Sequence, residues 1–167
     1  MPTVEQIRKG TYHLRRANDA DERFLLKLYA QERAAELSFS GMDVTQREVF
    51  VQMQFRIRQA SYRATYPMAV DEILCADNGI PVGRVLVDRA EGGMRLVDIA
   101  IAAEEQRQGI GTQVIRKLQH ECAVSDWEMM LQVLNGSASE RFYRQLGFKV
   151  VGEDPLRRQM VWDGAKV

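Results

Sequence analysis

Cysteine and histidine are each present only twice among 167 residues. Cys75 and Cys122 lie far apart in apolar segments, and His13 and His120 have no ligand-type residue paired with them in sequence. Metal centres and disulfide frameworks need such residues at close, repeated spacing, so neither is expected. The two cysteines read as buried free thiols of a reducing compartment. Charge of one sign is also missing, because 23 Lys and Arg balance 23 Asp and Glu. Proteins that bind duplexes normally carry a basic excess, so no nucleic-acid partner is expected. No apolar run approaches the roughly 20 residues of a membrane span. The segment MPTVEQIRKGTYHLRRA lacks the apolar stretch of a secretion signal. Together these absences predict a cytoplasmic protein with no membrane partner and no bound metal.

A hydrophobic share of 46% suffices for a packed core, and the length suits a single domain over residues 1–167. TYHLRRA, residues 11–17, alternates and reads as a first strand. Asn18 or Asp19 then caps a helix that carries Phe24, Leu25, Leu28 and Tyr29 and runs to about Leu37. SFSGMDVT is a loop, and Thr45 with Glu48 forms a capping-box pattern ahead of a second helix. There Val49, Met53 and Ile57 recur four apart, and Pro67 stops the run. MAVDEILCA, IPVGRVLVDRA and MRLVDIAIA read as three antiparallel strands, joined by DNG at 77–79 and EGG at 91–93. Residues 109–124 have helical spacing, WEMMLQVL is a strand, SASERFYRQL a short helix, and GFKVVG with RQMVWD closes the chain in β structure. The order strand, helix, strand around residues 109–134 adds one parallel crossover.

Gly109 and Gly111, in EEQRQGIGTQ, fall between a strand and a helix. The first turn of a helix has unpaired N–H groups and a partial positive charge. Where side chains are absent, an anion can approach those groups, and phosphate is the usual guest. The stretch lacks the Gly-Lys-Ser/Thr of a nucleotide-triphosphate loop, and Val114 stands where a dinucleotide fingerprint has its third glycine. The plain alternative is a helix that merely begins with glycines.

Gln106-x-x-Gly109-x-Gly111 resembles the Arg/Gln-x-x-Gly-x-Gly/Ala motif of the GNAT superfamily of N-acetyltransferases, and ASERFYRQLGFKVVGE resembles that family's later helix and strand. The two motifs occur in the family's order within the expected elements, and the resemblance covers about residues 11–163. It implies an α/β (α+β) fold: a mixed, largely antiparallel central sheet with helices on both faces and a splayed strand pair at the cofactor site. It implies acetyl-CoA as co-substrate and a primary amine, on a small molecule or a protein, as acceptor. The cofactor pyrophosphate would lie on Gln106, Arg107, Gln108, Gly109, Ile110 and Gly111, extended by Thr112. Ile99, Ala100 and Ile101 would pair with the pantetheine arm, and a backbone N–H among them would face the thioester oxygen. Tyr143 matches the family's tyrosine and would protonate the departing thiolate, against the alternative of a core aromatic beside Phe142 and Phe148. Ser137 stands where many members carry a cofactor-contacting asparagine, a departure from the pattern. Arg95 occupies the position of the glutamate that serves several members as base and cannot replace it. Asp98 is the remaining candidate base, against the alternative of a structural acid. Tyr62, Tyr66, Arg58 and Arg63 are candidate lining for the acceptor. The family commonly forms homodimers, so a homodimer is an option here too. A module of this fold that binds CoA for sensing or interaction, without turnover, is the alternative function.

Overall fold

A computed structural model describes residues 10–90 and 92–164. The N-terminal stretch read above for a secretion signal lies mostly outside these residues, as does Glu91 of the EGG turn. The described residues form seven strands, β1 (His13–Arg16), β2 (Val70–Cys75), β3 (Pro81–Ala90), β4 (Gly93–Ile101), β5 (Glu128–Leu134), β6 (Lys149–Glu153) and β7 (Arg157–Trp162), and four α-helices, α1 (Glu22–Leu37), α2 (Val44–Thr65), α3 (Ile110–Ser125) and α4 (Ala138–Gln145). The strands make one sheet in the order β1-β2-β3-β4-β5-β7-β6. Every pairing is antiparallel except β4 with β5. This is the mixed, mainly antiparallel α/β fold that the sequence predicts.

Each sheet face has its own core. Leu74, Val85, Val87, Met94 and Leu96 pack with Ile110, Val114, Ile115, Leu118 and Cys122 of α3 and with Tyr143 and Leu146 at α4. On α3 the buried apolar residues recur at i, i+4, i+5, i+8 and i+12, with Gln119 at i+9, one stripe of a 3.6-residue helix. Fully burying a side chain such as Ile115 stabilises the fold by about 1.5–3 kcal/mol. On the other face Leu25, Leu28 and Tyr29 of α1 and Val51 and Phe55 of α2 cover Ile73, Cys75 and Ala102. Both cysteines are free and buried, as expected.

Local details depart from the sequence reading in three places. Asn18 caps a short 3-10 turn, Asp19–Asp21, and α1 begins only after it. The capping box of α2 is Asp43 with Gln46, two residues before the Thr45–Glu48 pattern, because Asp43 already accepts the Gln46 N–H. Val49, Met53 and Ile57 are exposed, and the buried side of α2 is Val51 and Phe55. A single-helix period cannot say which of two apolar stripes faces the sheet.

The β4–β5 pairing is short. Gly93, Met94 and Arg95 pair with Glu128, Met129 and Met130, and the ladder stops there although both strands continue. Past Arg95 the strands therefore part, leaving a gap in the middle of the sheet. On its other side β4 stays paired to β3 through Ile101, but with a bulge: Leu86 pairs with Asp98 and Val87 with Leu96, so Val97 is the extra residue. A bulge shifts the alternation of side chains by one. Met94 and Leu96 face α3 before it, Ile99 and Ile101 after it, and Asp98 and Ala100 are turned toward α1 and α2.

Candidate active site

A cleft of about 510 Å³ opens where β4 and β5 separate. Its walls are Ile99 and Ile101 of β4, the turn residues Glu105, Gln106, Arg107 and Gly109, the first turn of α3 (Ile110, Gly111, Thr112), and Ala138, Ser139, Phe142 and Tyr143 of α4.

The turn has the geometry of an open helix start. Gln106 donates its side-chain amide to the Ile101 carbonyl at 2.9 Å, which ties the turn to the end of β4. Arg107 and Gly109 both adopt left-handed backbone, with φ of 61° and 79°. Gly109 is the N-cap of α3 and supplies no side-chain acceptor, and the first turn has no acidic residue. By contrast α2 and α4 are closed by Asp43 and Ser137. The first bond inside α3 is from the Gln113 N–H to the Gly109 carbonyl. The N–H groups of Ile110, Gly111 and Thr112 are thus without an intrahelical partner at the positive end of a 16-residue helix.

The two glycines have different reasons. Gly109 needs its positive φ, which L side chains rarely adopt. Gly111 is helical, and a Cβ there would meet only the Phe142 ring edge at 3.6 Å, an ordinary contact. The fold tolerates a side chain at 111, yet glycine is kept at a helical position it destabilises by about 0.5–1 kcal/mol relative to alanine. What glycine preserves is bare backbone facing the cleft.

Along β4, the Ala102 N–H donates to the Val82 carbonyl of β3 at 2.8 Å. Backbone groups alternate sides along a strand, so Ala100 also turns its N–H and C=O to β3, whereas Ile99 and Ile101 turn theirs to the gap. Ile99 and Ile101 thus present strand edge to the cleft. Ala100 does not, since its backbone serves β3 and its side chain packs with the α1–α2 core. Gln108 and Ser137 also lie off the cleft wall. Gln108 turns its amide back toward the Glu104 carbonyl, and the Ser137 hydroxyl accepts the Glu140 N–H as the cap of α4. Ala138, Ser139, Phe142 and Glu105 were missed by sequence reasoning, and only the neighbourhood of Phe142 to Tyr143 hinted at any of them.

Tyr143 is 6% exposed and packs edge-on against Phe142 and Phe148, with ring centroids 5.1 and 5.4 Å away. It is at once a core aromatic and part of the cleft wall. Burial pushes its phenol pKa well above the ordinary value of 10, and the Asp98 carboxylate adds to the shift. The phenol therefore holds its proton at neutral pH. Asp98 lies on the opposite sheet face and feels Tyr143 through the gap. Burial pushes its carboxyl up, with Glu32 and Asp71 adding to this and the Arg58 and Arg84 guanidiniums opposing it. Its oxygen is 3.6 Å from Arg84 Nη1, too long for a hydrogen bond. Arg84 is held instead by Asp71 at 2.8 Å and by Gln59 at 2.8 Å. The two groups thus flank the gap from opposite faces, one a buried carboxyl shifted up and the other a phenol that keeps its proton. Tyr62 stands over the same spot, its ring 5.7 Å from Arg58 and 5.8 Å from Arg84, and burial raises its phenol too.

A family model described as "Acetyltransferase (GNAT) domain" matches residues 29–162. The chain belongs to the GNAT acetyltransferase family. Solved GNAT structures share its fold at low identity. PaiA N-acetyltransferase from Thermoplasma acidophilum, solved in complex with coenzyme A, is 14% identical with a TM-score of 0.65, over 92% of this chain and 99% of that one. An acetyltransferase from Thermus thermophilus is 17% identical with a TM-score of 0.65, over 91% and 96%. FdhC, a nucleotide-linked sugar GNAT solved without ligand, is 15% identical with a TM-score of 0.63, over 92% and 87%. The comparison with curated proteins finds no match. This GNAT domain is that of an acyltransferase, and none of its described helices is long and apolar enough to cross a membrane.

Proposed function

We propose that the protein is an acetyl-CoA-dependent N-acetyltransferase that acetylates a primary amine by direct attack on the thioester. The observation that carries the reading is the uncapped start of α3 beside a strand edge that β5 leaves without a partner strand: one anion cradle and one extended backbone surface, joined in a single cleft. Together they suit a molecule with a diphosphate at one end and an amide-containing arm at the other. The amides of Ile110, Gly111 and Thr112 would hold the diphosphate, with Arg107 on the rim. Ile99 and Ile101 would pair with the arm. Bound acetyl-CoA supplies an activated acetyl group.

The chain's own residues then have three tasks. An N–H of Ile99 or Ile101 donates to the carbonyl oxygen as negative charge grows there. Asp98 takes the proton that the amine must lose, since an amine of ordinary pKa near 10.4 is mostly charged at neutral pH. Tyr143 gives its proton to the departing sulfur, and Asp98 can restore it through solvent. The charged amine first loses one proton through Asp98 to solvent; the C–N bond then forms, the C–S bond breaks, the second nitrogen proton passes to the Asp98 carboxylate and the Tyr143 proton to the thiolate, so that one proton in all is released to solvent.

The experiment is calorimetric titration with CoA and acetyl-CoA, followed by thiol release across an amine panel. Micromolar binding with thiol release supports the enzyme. Binding without release from any amine favours the sensing or interaction module. No binding refutes both.

A further inference from the structure

The α1–α2 side of the gap carries three guanidinium groups on or over the sheet, and their surroundings differ. Arg58 pairs with Glu32 at 3.0 Å and Arg84 with Asp71 at 2.8 Å. Arg95 makes no ion pair among the described residues. Its guanidinium carbon lies 6.0 Å from the centre of the Tyr66 ring, where α2 ends. Arg95 is half-buried and sits on the last rung of the β4–β5 ladder, opposite Met130, where the strands begin to part. A partly buried cation without a counter-ion is costly unless something supplies the charge. Asp88 stands across from it on β3 in register, and Asp98 follows three residues along β4. Glu128 lies two residues before Met130 on β5. None of the three closes an ion pair with it.

The cofactor cleft is on the α3–α4 face, so on the reading above the acceptor comes from the opposite, α1–α2 face, where Tyr66 and Arg95 lie at the start of the gap and Asp98 lines a small cavity with Arg58 and Arg84. The geometry points to an acceptor that carries an anionic group, a carboxylate or a phosphate, besides its amine, with Arg95 as the residue that binds this group and so selects the substrate. This rests on the acetyltransferase reading above. The planar fork of an arginine, here near the Tyr66 ring, suits bidentate capture of such an oxyanion. Asp98 then receives an amine whose opposite end is already held.

The test uses the full chain with acetyl-CoA and matched amine pairs. Amino acids with amine and carboxylate two to six carbons apart are compared with their amides, and 2-aminoethyl phosphate with its uncharged dimethyl triester. Each amine is assayed above its own pKa so that basicity does not decide the ranking. The anionic member of at least one pair should lead in kcat/KM by roughly tenfold to a hundredfold, the range for a hydrogen bond to a charged group. Which anionic series leads tells carboxylate from phosphate. Arg95→Met should erase that lead by raising KM for the anionic amine, with kcat and CoA affinity little changed, and Arg95→Lys should restore part of it. A thermal scan of each variant separates loss of selectivity from loss of fold. If Arg95→Met fails to fold, the ranking of the wild-type pairs still decides. Turnover led by neutral or cationic amines, no release from any anionic amine while CoA still binds, or an equal loss for both members of each pair in Arg95→Met would overturn the inference. Each of these leaves cofactor binding standing, whereas failure to bind CoA removes the reading beneath it.

Discussion

Replacing Gly111 with alanine separates folding from ligand binding at the α3 start. The added methyl meets one Phe142 atom at 3.6 Å, so it requires no rearrangement. It replaces the residue with the poorest helix propensity save proline by the best one. The gain is about 0.5–1 kcal/mol. At roughly 2.1 cal/mol/K per residue of unfolding entropy, a chain of this size should melt about 2 °C higher. The same methyl projects into the cleft among the amides of the first helical turn and would hold a diphosphate away from them. Losing one charge-assisted hydrogen bond, at about 1.5–3 kcal/mol, weakens CoA binding by roughly tenfold to a hundredfold. Differential scanning calorimetry of the free protein and calorimetric titration with CoA measure the two effects. Gly109→Ala is the counterpart. Its Cβ would meet nothing within 4 Å, yet its φ of 79° costs a side chain about 1–2 kcal/mol. That variant should melt lower. Should Gly111→Ala bind CoA as tightly as wild type, the diphosphate does not lie on α3, and the basis for the proposed function is gone.

Tyr143→Phe keeps the aromatic packing against Phe142 and Phe148 and should lower kcat about a hundredfold, with CoA affinity unchanged; unchanged kcat would assign the leaving-group proton to water. Because the phenol pKa is raised above 10, loss of its proton should produce no fall in kcat/KM up to pH 10, and a descending limb near pH 8 would contradict its role. Asp98→Asn should depress kcat by about a hundredfold at neutral pH. It should recover as pH approaches the amine pKa, where the acceptor is already neutral; a constant deficit across pH would make Asp98 a structural acid. Asp21, 4% exposed, accepts two bonds from Arg15 at 2.7 and 2.8 Å and one from the Asn18 N–H. Arg15 is the largest influence holding its carboxyl below the usual range. A carboxyl lowered on folding stabilises the protein above its unfolded pKa of about 4, and this is lost as pH falls through the folded value. Asp21→Asn should therefore cost about 2 kcal/mol at pH 7 and flatten the acid limb of stability, as read by urea melts from pH 2 to 7.

The elements and the anion turn were legible because each depends on neighbours in sequence. α3 declares itself by apolar residues on one stripe and by glycines at its start, and the meander by DNG between alternating runs. The parting of β4 from β5 became an expectation only through the family resemblance, since no residue in either strand encodes where a ladder ends. Asp98 shows most clearly what local pattern omits. Strict alternation from Met94 and Leu96 would turn Asp98 into the α3 core, where a carboxylate would have no partner. The extra residue Val97 reverses the alternation, so that Ile99 and Ile101 line the cleft beside α3 and α4 while Asp98 emerges on the α1–α2 face. Nothing in LVDIAI marks the bulge, because it is a relation between β4 and the register of β3. One inserted residue thus places an acid and an apolar wall on opposite sides of the same gap, and the proposed chemistry needs both: a water-shielded surface for the thioester arm and a base on the side proposed for the amine. Arg95 stands before the bulge and shares the acceptor face with Asp98 only because the bulge intervenes. The proposed anion recognition and the proposed proton removal therefore depend on the same backbone irregularity, and a change that restored regular pairing at Val97 would separate them.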